Sequence, residues 1–477
     1  MKLRPALPAL LDAPPRVASP LDPGFRPLSL GLLRYREALA AAGGGEPLRV
    51  GVERENGLVS VFETRLLPPG CDDAATRIWA ERLVKFLLWS RGGWKIVWQG
   101  PKALGESLRV LYSAEGGRAF DARVMSRIYR KPFAFVLAGE RESPSEKEAS
   151  SVLGGHWDGC RVGFDLGASD FKVAAVVDGN PVYSEEIPWQ PGTQPDPAFH
   201  YGRIQDGLKA AAARLPRVDA IGGSAAGVYI DNQVRIASLF RGVAEDVFEE
   251  RVRPMFLEMR REWGVPLEVI NDGEVTALVG TLTLGRTPML GVAMGSSQAA
   301  GYVNGAGRIP GWLDELAFVP VDANPAAPPD EWSGDVGVGA LYFSQQAVNK
   351  LAPAAGFAFA ADVPLPERLK EIQRRAEDGH PGARAVFETI GIYLGYAIPY
   401  YALFYDFGDL LVLGRVLSGA GGEAIVAKAG EVLRTEFPDL AERVAVHLLE
   451  EKSRRVGQAV AAASLPRIPT RGEGRAR

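Results

Sequence analysis

Residues 161–178 read Arg-Val-Gly-Phe-Asp-Leu-Gly-Ala-Ser-Asp-Phe-Lys-Val-Ala-Ala-Val-Val-Asp. Two β-rich runs, 162–164 and 172–177, flank Asp165-Leu166-Gly167-Ala168-Ser169. The pattern predicts two strands joined by a tight turn of small residues, with an acid at the strand end and Lys172 just beyond. Small residues in such a turn leave backbone N–H groups free to face an anion, and Asp165 could hold a metal ion beside it. A glycine-containing hairpin with an acid is common, so the weight of this stretch depends on its partners elsewhere in the chain.

Composition bounds those partners. With 47% hydrophobic and 23% charged residues over 477 positions, the chain fits a soluble globular protein of two or three domains. A net charge of −4 argues against a nucleic-acid binder held by charge alone, while leaving room for a local basic patch. Only Cys71 and Cys160 occur, so there is no disulfide framework and no Cys-rich zinc site; idle thiols in a reducing cytoplasm are the expectation. Prolines at 5, 8, 14 and 15 interrupt any apolar signal core near the N-terminus. The most apolar run, 390–405, is shorter than the roughly 20 residues that span a bilayer, and it reads as a buried core helix. No membrane role is expected.

Residues 1–46 read as an extended arm with a short helix near 30–42 and a glycine joint. Residues 47–142 read as an accessory α/β domain: strands at 48–53 and 58–66 around an Asn56-Gly57 hairpin turn, a helix at 73–90, a strand at 95–99, a helix at 103–112 and a strand at 133–137. Arg118-Ala119-Phe120-Asp121 reads as a loop, either for a ligand or closed by a local salt bridge. A winged DNA-reading domain fits poorly here, because a Gly-Gly-Trp strand separates the helices that a helix-turn-helix pair would need. Residues 143–160 form the expected linker, and a disordered tail is expected over 466–477.

From 161 the chain alternates. Helices are expected at 201–214, 245–263, 273–284 and 423–434, and strands at 218–221, 267–270, 289–294, 299–304 and 410–413. The run Gly222-Gly223-Ser224-Ala225-Ala226-Gly227 reads as a turn after its strand. Such alternation indicates a largely parallel sheet with ligands at strand ends. Three small-residue turns follow apolar strands: 165–169, 295–298 and 414–422. Between the first two lies Asn271-Asp272, an acid where a strand gives way to a helix.

That ordered set resembles the actin-like ATPase superfamily, and within it the ROK family of bacterial sugar kinases and sugar-responsive repressors, over about residues 161–435. The resemblance implies a two-lobed α/β fold of the ribonuclease H type over 161–465, with the accessory domain added in front. It implies ATP and Mg²⁺ as cofactors and a sugar or polyol as acceptor, in the cytoplasm, with a homodimer left open. It implies that Asp165, Gly167, Ser169 and Lys172 surround the ATP phosphates, with Asp165 acting indirectly on Mg²⁺. Gly295, Ser296 and Ser297 match the second phosphate loop, and Gly419, Gly421 and Gly422 the adenosine side. Asn271 and Glu315 would bind sugar hydroxyls, and Asp272 would be the catalytic base. The chemistry is coherent by itself, since phosphoryl transfer to an alcohol needs held phosphates and one base beside the attacking hydroxyl.

The departures are specific. Ala317-Phe318 stands where the family has Gly-His, residues 334–340 replace the Cys-rich zinc loop, and a second sugar-binding Glu falls near Ala340. No structural zinc is therefore expected. Simpler roles compete at several positions: a helix N-cap for Asp272, an exposed loop acid for Glu315, a solvated strand face for Lys172, core packing for Trp312. A non-catalytic sugar sensor of the same fold is the alternative function, and an ATP-driven switch without any acceptor is a third.

Overall fold

The computed structural model describes residues 6–139, 142–168, 170–449 and 451–469, with backbone alone for 451–456. Residues 1–5 of the expected arm, residues 140 and 141, Ser169, residue 450 and residues 470–477 of the expected tail lie outside the described residues.

The N-terminal part contains α1 (Leu28–Ala41), β1 (Glu46–Glu53), β2 (Val59–Leu66), α2 (Asp73–Arg91), β3 (Lys95–Gln99), α3 (Lys102–Leu111), α4 (Ala119–Tyr129) and β4 (Ala134–Leu137). Its four-stranded sheet runs β2-β1-β3-β4, with β1 antiparallel to both neighbours and β3 parallel to β4. Arg118–Asp121 is not a loop but the start of α4. Asp72 caps α2 by accepting the Ala75 N–H, and the helix then buries nearly everything from Trp79 to Arg91.

The next region holds β5 (Cys160–Leu166), β6 (Asp170–Val177), β7 (Asn180–Pro188), α5 (Pro197–Ala212), β8 (Ala220–Ala225), the hairpin β9 (Val228–Ile230) and β10 (Gln233–Ile236), α6 (Glu245–Val247), α7 (Met255–Trp263) and β11 (Leu267–Asn271). The sheet order is β11-β8-β5-β6-β7, with β5, β8 and β11 parallel and β6 and β7 returning antiparallel. The helix expected over 245–263 is broken: residues 248–252 widen into a π turn, and Pro254, which has no N–H to donate, precedes α7.

The last region holds α8 (Asp272–Leu284), β12 (Met289–Met294), β13 (Gln298–Val303), α9 (Gln345–Leu351), α10 (Leu365–Glu377), α11 (Pro381–Tyr401), β14 (Asp409–Leu413), α12 (Ala420–Glu436), α13 (Pro438–Ala441), β15 (Ala445–Leu448) and α14 (Glu451–Ala463). Its sheet runs β13-β12-β14-β15, antiparallel in the first pair and parallel in the rest. Both large sheets therefore begin with a hairpin, β5-β6 or β12-β13, whose first strand pairs in parallel with a later one. The turns that follow Leu166 and Met294 occupy equivalent places in the two.

Two packings decide the overall arrangement. Residues from Leu11 through α2 to Val444 share one buried cluster, so the N-terminal part is built onto the second large sheet's side of the molecule. Phe86 of α2 stacks on Phe404 at 3.7 Å between ring centroids and meets Tyr400 edge-on at 4.9 Å. As expected, the apolar 390–405 run is largely buried, as the second half of α11 and the turn after it; among the described residues no helix is long and apolar enough to cross a membrane. The second packing returns α14 to the first sheet. A Cβ on Gly163 would lie 1.8 Å from the Ala459 carbonyl, and one on Gly222 would lie 1.7 Å from the Ala462 carbonyl. Gly222-Gly223-Ser224-Ala225 is thus strand, not turn, and Gly222 is glycine because a helix backbone rests on it.

Lys147 and Glu148 of the expected linker, and Pro466 at the head of the expected tail, are docked. Val59 and Lys147 exchange two backbone hydrogen bonds, Glu148 binds Arg54 and Ser60, and the Pro466 carbonyl accepts from buried Arg161 at 2.7 Å.

Candidate active site

Asp272 is the first residue of α8, immediately after β11. The helix cap is Asn271: its Oδ1 accepts the Gly273 N–H at 2.7 Å, while Glu274 reaches back to the Asn271 N–H at 3.2 Å. Asp272 is thereby released from capping. Its side chain is half-buried, and Oδ1 is sealed from solvent with no hydrogen-bond partner among the described residues. Burial, and after it the charge of Asp165, pushes its carboxyl up to about 7. The same cap occupies Asn271, whose amide also donates to the Gly227 carbonyl at 2.7 Å.

Asp165 closes β5 and is buried. Ser224, from the end of neighbouring β8, donates to its Oδ1 at 2.7 Å, and Lys172 stands 3.6 Å from Oδ2. Burial lifts this carboxyl above the usual range against those two contacts. Lys172 is not on a solvated face: it turns inward between Asp165 and Asp170, whose carboxylates outweigh burial and hold its ammonium above the usual value. Gly167 donates its N–H to the Asp170 carbonyl at 2.9 Å, closing the turn. Gly295, Ser296 and Ser297 form the second hairpin turn, with both serines exposed.

Glu315 is no exposed loop acid. Its carboxyl is pushed up to about 8 by burial, then by Asp272 and Asp314, which sets it electrostatically against the Asp272 carboxylate. The reason it sits there lies in α2. The last four carbonyls of a helix lack partners within it. Here Gly92 takes that of Leu88, and three successive N–H groups take the others: Glu315 to Trp89 at 2.9 Å, Asp314 to Ser90 at 2.9 Å and Leu313 to Arg91 at 3.2 Å. The loop carrying Glu315 is the C-terminal cap of a helix from the N-terminal part. Asp314, beside it, has a positive φ of 51° and accepts from Tyr405 at 2.7 Å, and burial raises its carboxyl to about 7.

The positions that depart from the resemblance are packed with protein. Phe318 stacks on Trp89 at 4.2 Å. Ala340 is buried in a tight turn. Trp312 has its faces covered by Tyr302 at 5.4 Å and by the Arg91 guanidinium at 3.4 Å, so its ring packs with protein. Asp335, within 334–340, presents one oxygen to Arg118 at 2.7 Å, Arg82 at 2.9 Å and Lys85 at 3.0 Å.

Of the third turn's glycines, only Gly419 is exposed; its φ of 66° opens α12. Gly421 and Gly422 are buried, where a Cβ would meet the Phe387 ring at 2.8 Å and the Leu417 carbonyl at 2.2 Å, so their smallness serves packing. Sequence reasoning passed over Ser224, Asp170, Glu274, Asp314 and Arg415. Asp170 alone lay in plain view, inside the opening stretch.

Two large sheets with matched hairpin turns, and an acid where the chain leaves the first of them, make this the actin-like ATPase fold in the form that ROK-family proteins take. A ROK-family glucokinase from Streptomyces griseus, solved with glucose and AMPPNP, matches it with a TM-score of 0.51 at 20% identity, over 65% of this chain and 99% of its own. A ROK-family transcriptional regulator, a homolog of the E. coli MLC protein, matches at 0.49 and 18% identity over 64% and 78% of the two chains. A ROK hexokinase from Thermus thermophilus matches at 0.47 and 19% over 64% and 97%. No protein-family model and no curated protein matches this sequence.

Proposed function

We propose that the protein is a cytoplasmic ATP-dependent kinase that phosphorylates a hydroxyl of a sugar or sugar-like polyol. The observation that carries this reading is Asp272: a sealed carboxylate oxygen without a donor, set electrostatically between Asp165 of the phosphate hairpin and Glu315. An acceptor hydroxyl supplies the missing donor. Ionised Asp272 takes its proton as the hydroxyl oxygen bonds to the γ-phosphorus, and the bond from that phosphorus to the ADP oxygen breaks. Lys172 and the exposed second hairpin turn at Ser296 and Ser297 face the phosphate charge. Glu315 orients the acceptor by accepting from its other hydroxyls.

Among the described residues no group of three or more His, Cys, Asp or Glu could enclose a metal. Asp165, with one oxygen held by Ser224, suits a Mg²⁺ carried by the nucleotide and its waters, as is usual for this ion. Bound there, Mg²⁺ neutralises charge on the transferring phosphoryl group.

Turnover of ATP against hexoses, amino sugars and polyols tests the reading, and the absence of any phosphorylated product would refute it. Two finer outcomes are expected. Because the base must be ionised, kcat/KM for the acceptor should rise with pH through about 7, the value to which Asp272 is pushed in the free protein; a rate flat between pH 5 and 8 would exclude Asp272. Assayed above pH 8, where Glu315 is ionised, Glu315→Gln should raise the acceptor KM about tenfold or more and leave the KM for ATP unchanged, the loss of a charged hydrogen bond being worth about 1.5–3 kcal/mol.

A second reading, a non-catalytic sugar sensor, is favoured by Phe318 and Ala340, where two polar sugar contacts are replaced by packing. It expects sugar binding without a phosphorylated product. ATP hydrolysis with no acceptor would point instead to a nucleotide-driven switch.

A further inference from the structure

Arg415 opens the turn after β14, on the second large sheet, yet its guanidinium reaches both carboxylate oxygens of Asp170 at the start of β6 on the first, and stands 3.8 Å from Glu186 of β7. The turn that carries it is fixed. Gly414 has φ 108°, and a Cβ there would lie 2.4 Å from the Met294 carbonyl, so the turn is pressed against the residue that precedes Gly295. Gln373 donates to the Arg415 carbonyl at 2.7 Å. Arg415 therefore projects from the edge of the second hairpin turn to the first. Its side chain is 43% exposed, against 11% for Asp170, so the guanidinium stands at the open mouth of the space between them. Lys172, 3.5 Å from Asp170, completes a pair of cations facing Asp165, Asp170 and Glu186.

A guanidinium fork binds phosphate as readily as carboxylate, with two parallel hydrogen bonds. Because the guanidinium is the solvent-facing member of this pair, a polyphosphate can reach it and compete with the carboxylate. We propose that Arg415 is a phosphate-binding residue of the nucleotide site, stored on Asp170 in the nucleotide-free protein and passed to the phosphate chain when nucleotide enters. The inference rests on the nucleotide-binding reading above and adds to it a ligand from the opposite sheet.

The test is calorimetric titration of the full chain with AMPPNP, with and without Mg²⁺, for the native protein, Arg415→Gln, Arg415→Lys and Asp170→Asn. Arg415→Gln should weaken binding at least tenfold in both conditions, and Arg415→Lys should recover part of the loss. Asp170→Asn should tighten binding severalfold, because it removes the competitor. Unchanged affinity in Arg415→Gln overturns the proposal, as does weakening in both Arg415→Gln and Asp170→Asn, which would make the pair a purely structural bridge. Thermal melts confirm that each variant is folded before titration. Arg415-dependent nucleotide binding with no phosphorylated sugar keeps this inference and removes the kinase; sugar phosphorylation with Arg415→Gln unchanged does the reverse. A native protein that binds no AMPPNP removes both.

Discussion

Asp272→Asn is expected to lower kcat for phosphoryl transfer by about 10²–10⁴-fold, the usual contribution of a general base, while nucleotide affinity stays within about twofold. Asn keeps the shape of the side chain but cannot take a proton. The local structure should survive, because the cap of α8 is Asn271 and its partner Glu274, not Asp272. The charge removed is one that Asp165 and Glu315 oppose. The variant should therefore melt no lower than the native protein, and that separates chemistry from folding. Steady-state kinetics beside a thermal melt decides the matter. Retained turnover would remove Asp272 as the base, and a collapsed melting point would return it to a structural role.

Asp335→Ala is expected to destabilise the fold by about 3–5 kcal/mol, because breaking a buried ion pair strands its partners. Here the stranding is threefold: one oxygen of Asp335 faces Arg82, Lys85 and Arg118. Burial works against its charge, yet those three cations hold its carboxyl well below the usual range. Glu81 binds Arg118 at 2.6 Å and Asp121 binds Lys85 at 3.3 Å, so the cluster balances three positive groups with three negative ones. Removing one acid leaves an uncompensated charge around Lys85, which is fully buried. Equilibrium urea denaturation measures the loss, and a change under about 1 kcal/mol would mean that the cluster relaxes to water. Asp335→Asn should lose much of the same stability, since it preserves shape but not charge.

The local grammar of the chain was readable. The strands at 161–178, the Asn56-Gly57 turn, the strand–helix junction at Asn271-Asp272 and the apolar α11 follow from spacing and propensity, and each is present. What spacing could not reveal was anything set by a distant neighbour. Gly222-Gly223 looked like a turn because glycine usually marks one; a helix more than two hundred residues later explains Gly222 instead. Nothing in the spacing linked Arg415 to Asp170, 245 residues away in the chain; the structure sets one on the other. Glu315 read equally as a sugar ligand or an exposed loop acid, and the helix ending at Arg91 is what holds its loop. The proposed nucleotide side was legible to the extent that it is made of local hairpins. The surroundings of Glu315 were not, since the end of α2 holds its loop.

The chain passes between the two large sheets twice, forward from β11 into α8 and back from β15 into α14. Gln458 of α14 ties these crossings together, donating to the Asp272 carbonyl at 3.2 Å and to Thr276 Oγ1 at 3.1 Å. Two linked crossings define a pivot, and the backbone of Asp272 lies on it. Any rocking of one lobe against the other would sweep Arg415 and the two hairpin turns through wider arcs than Asp272, the proposed base.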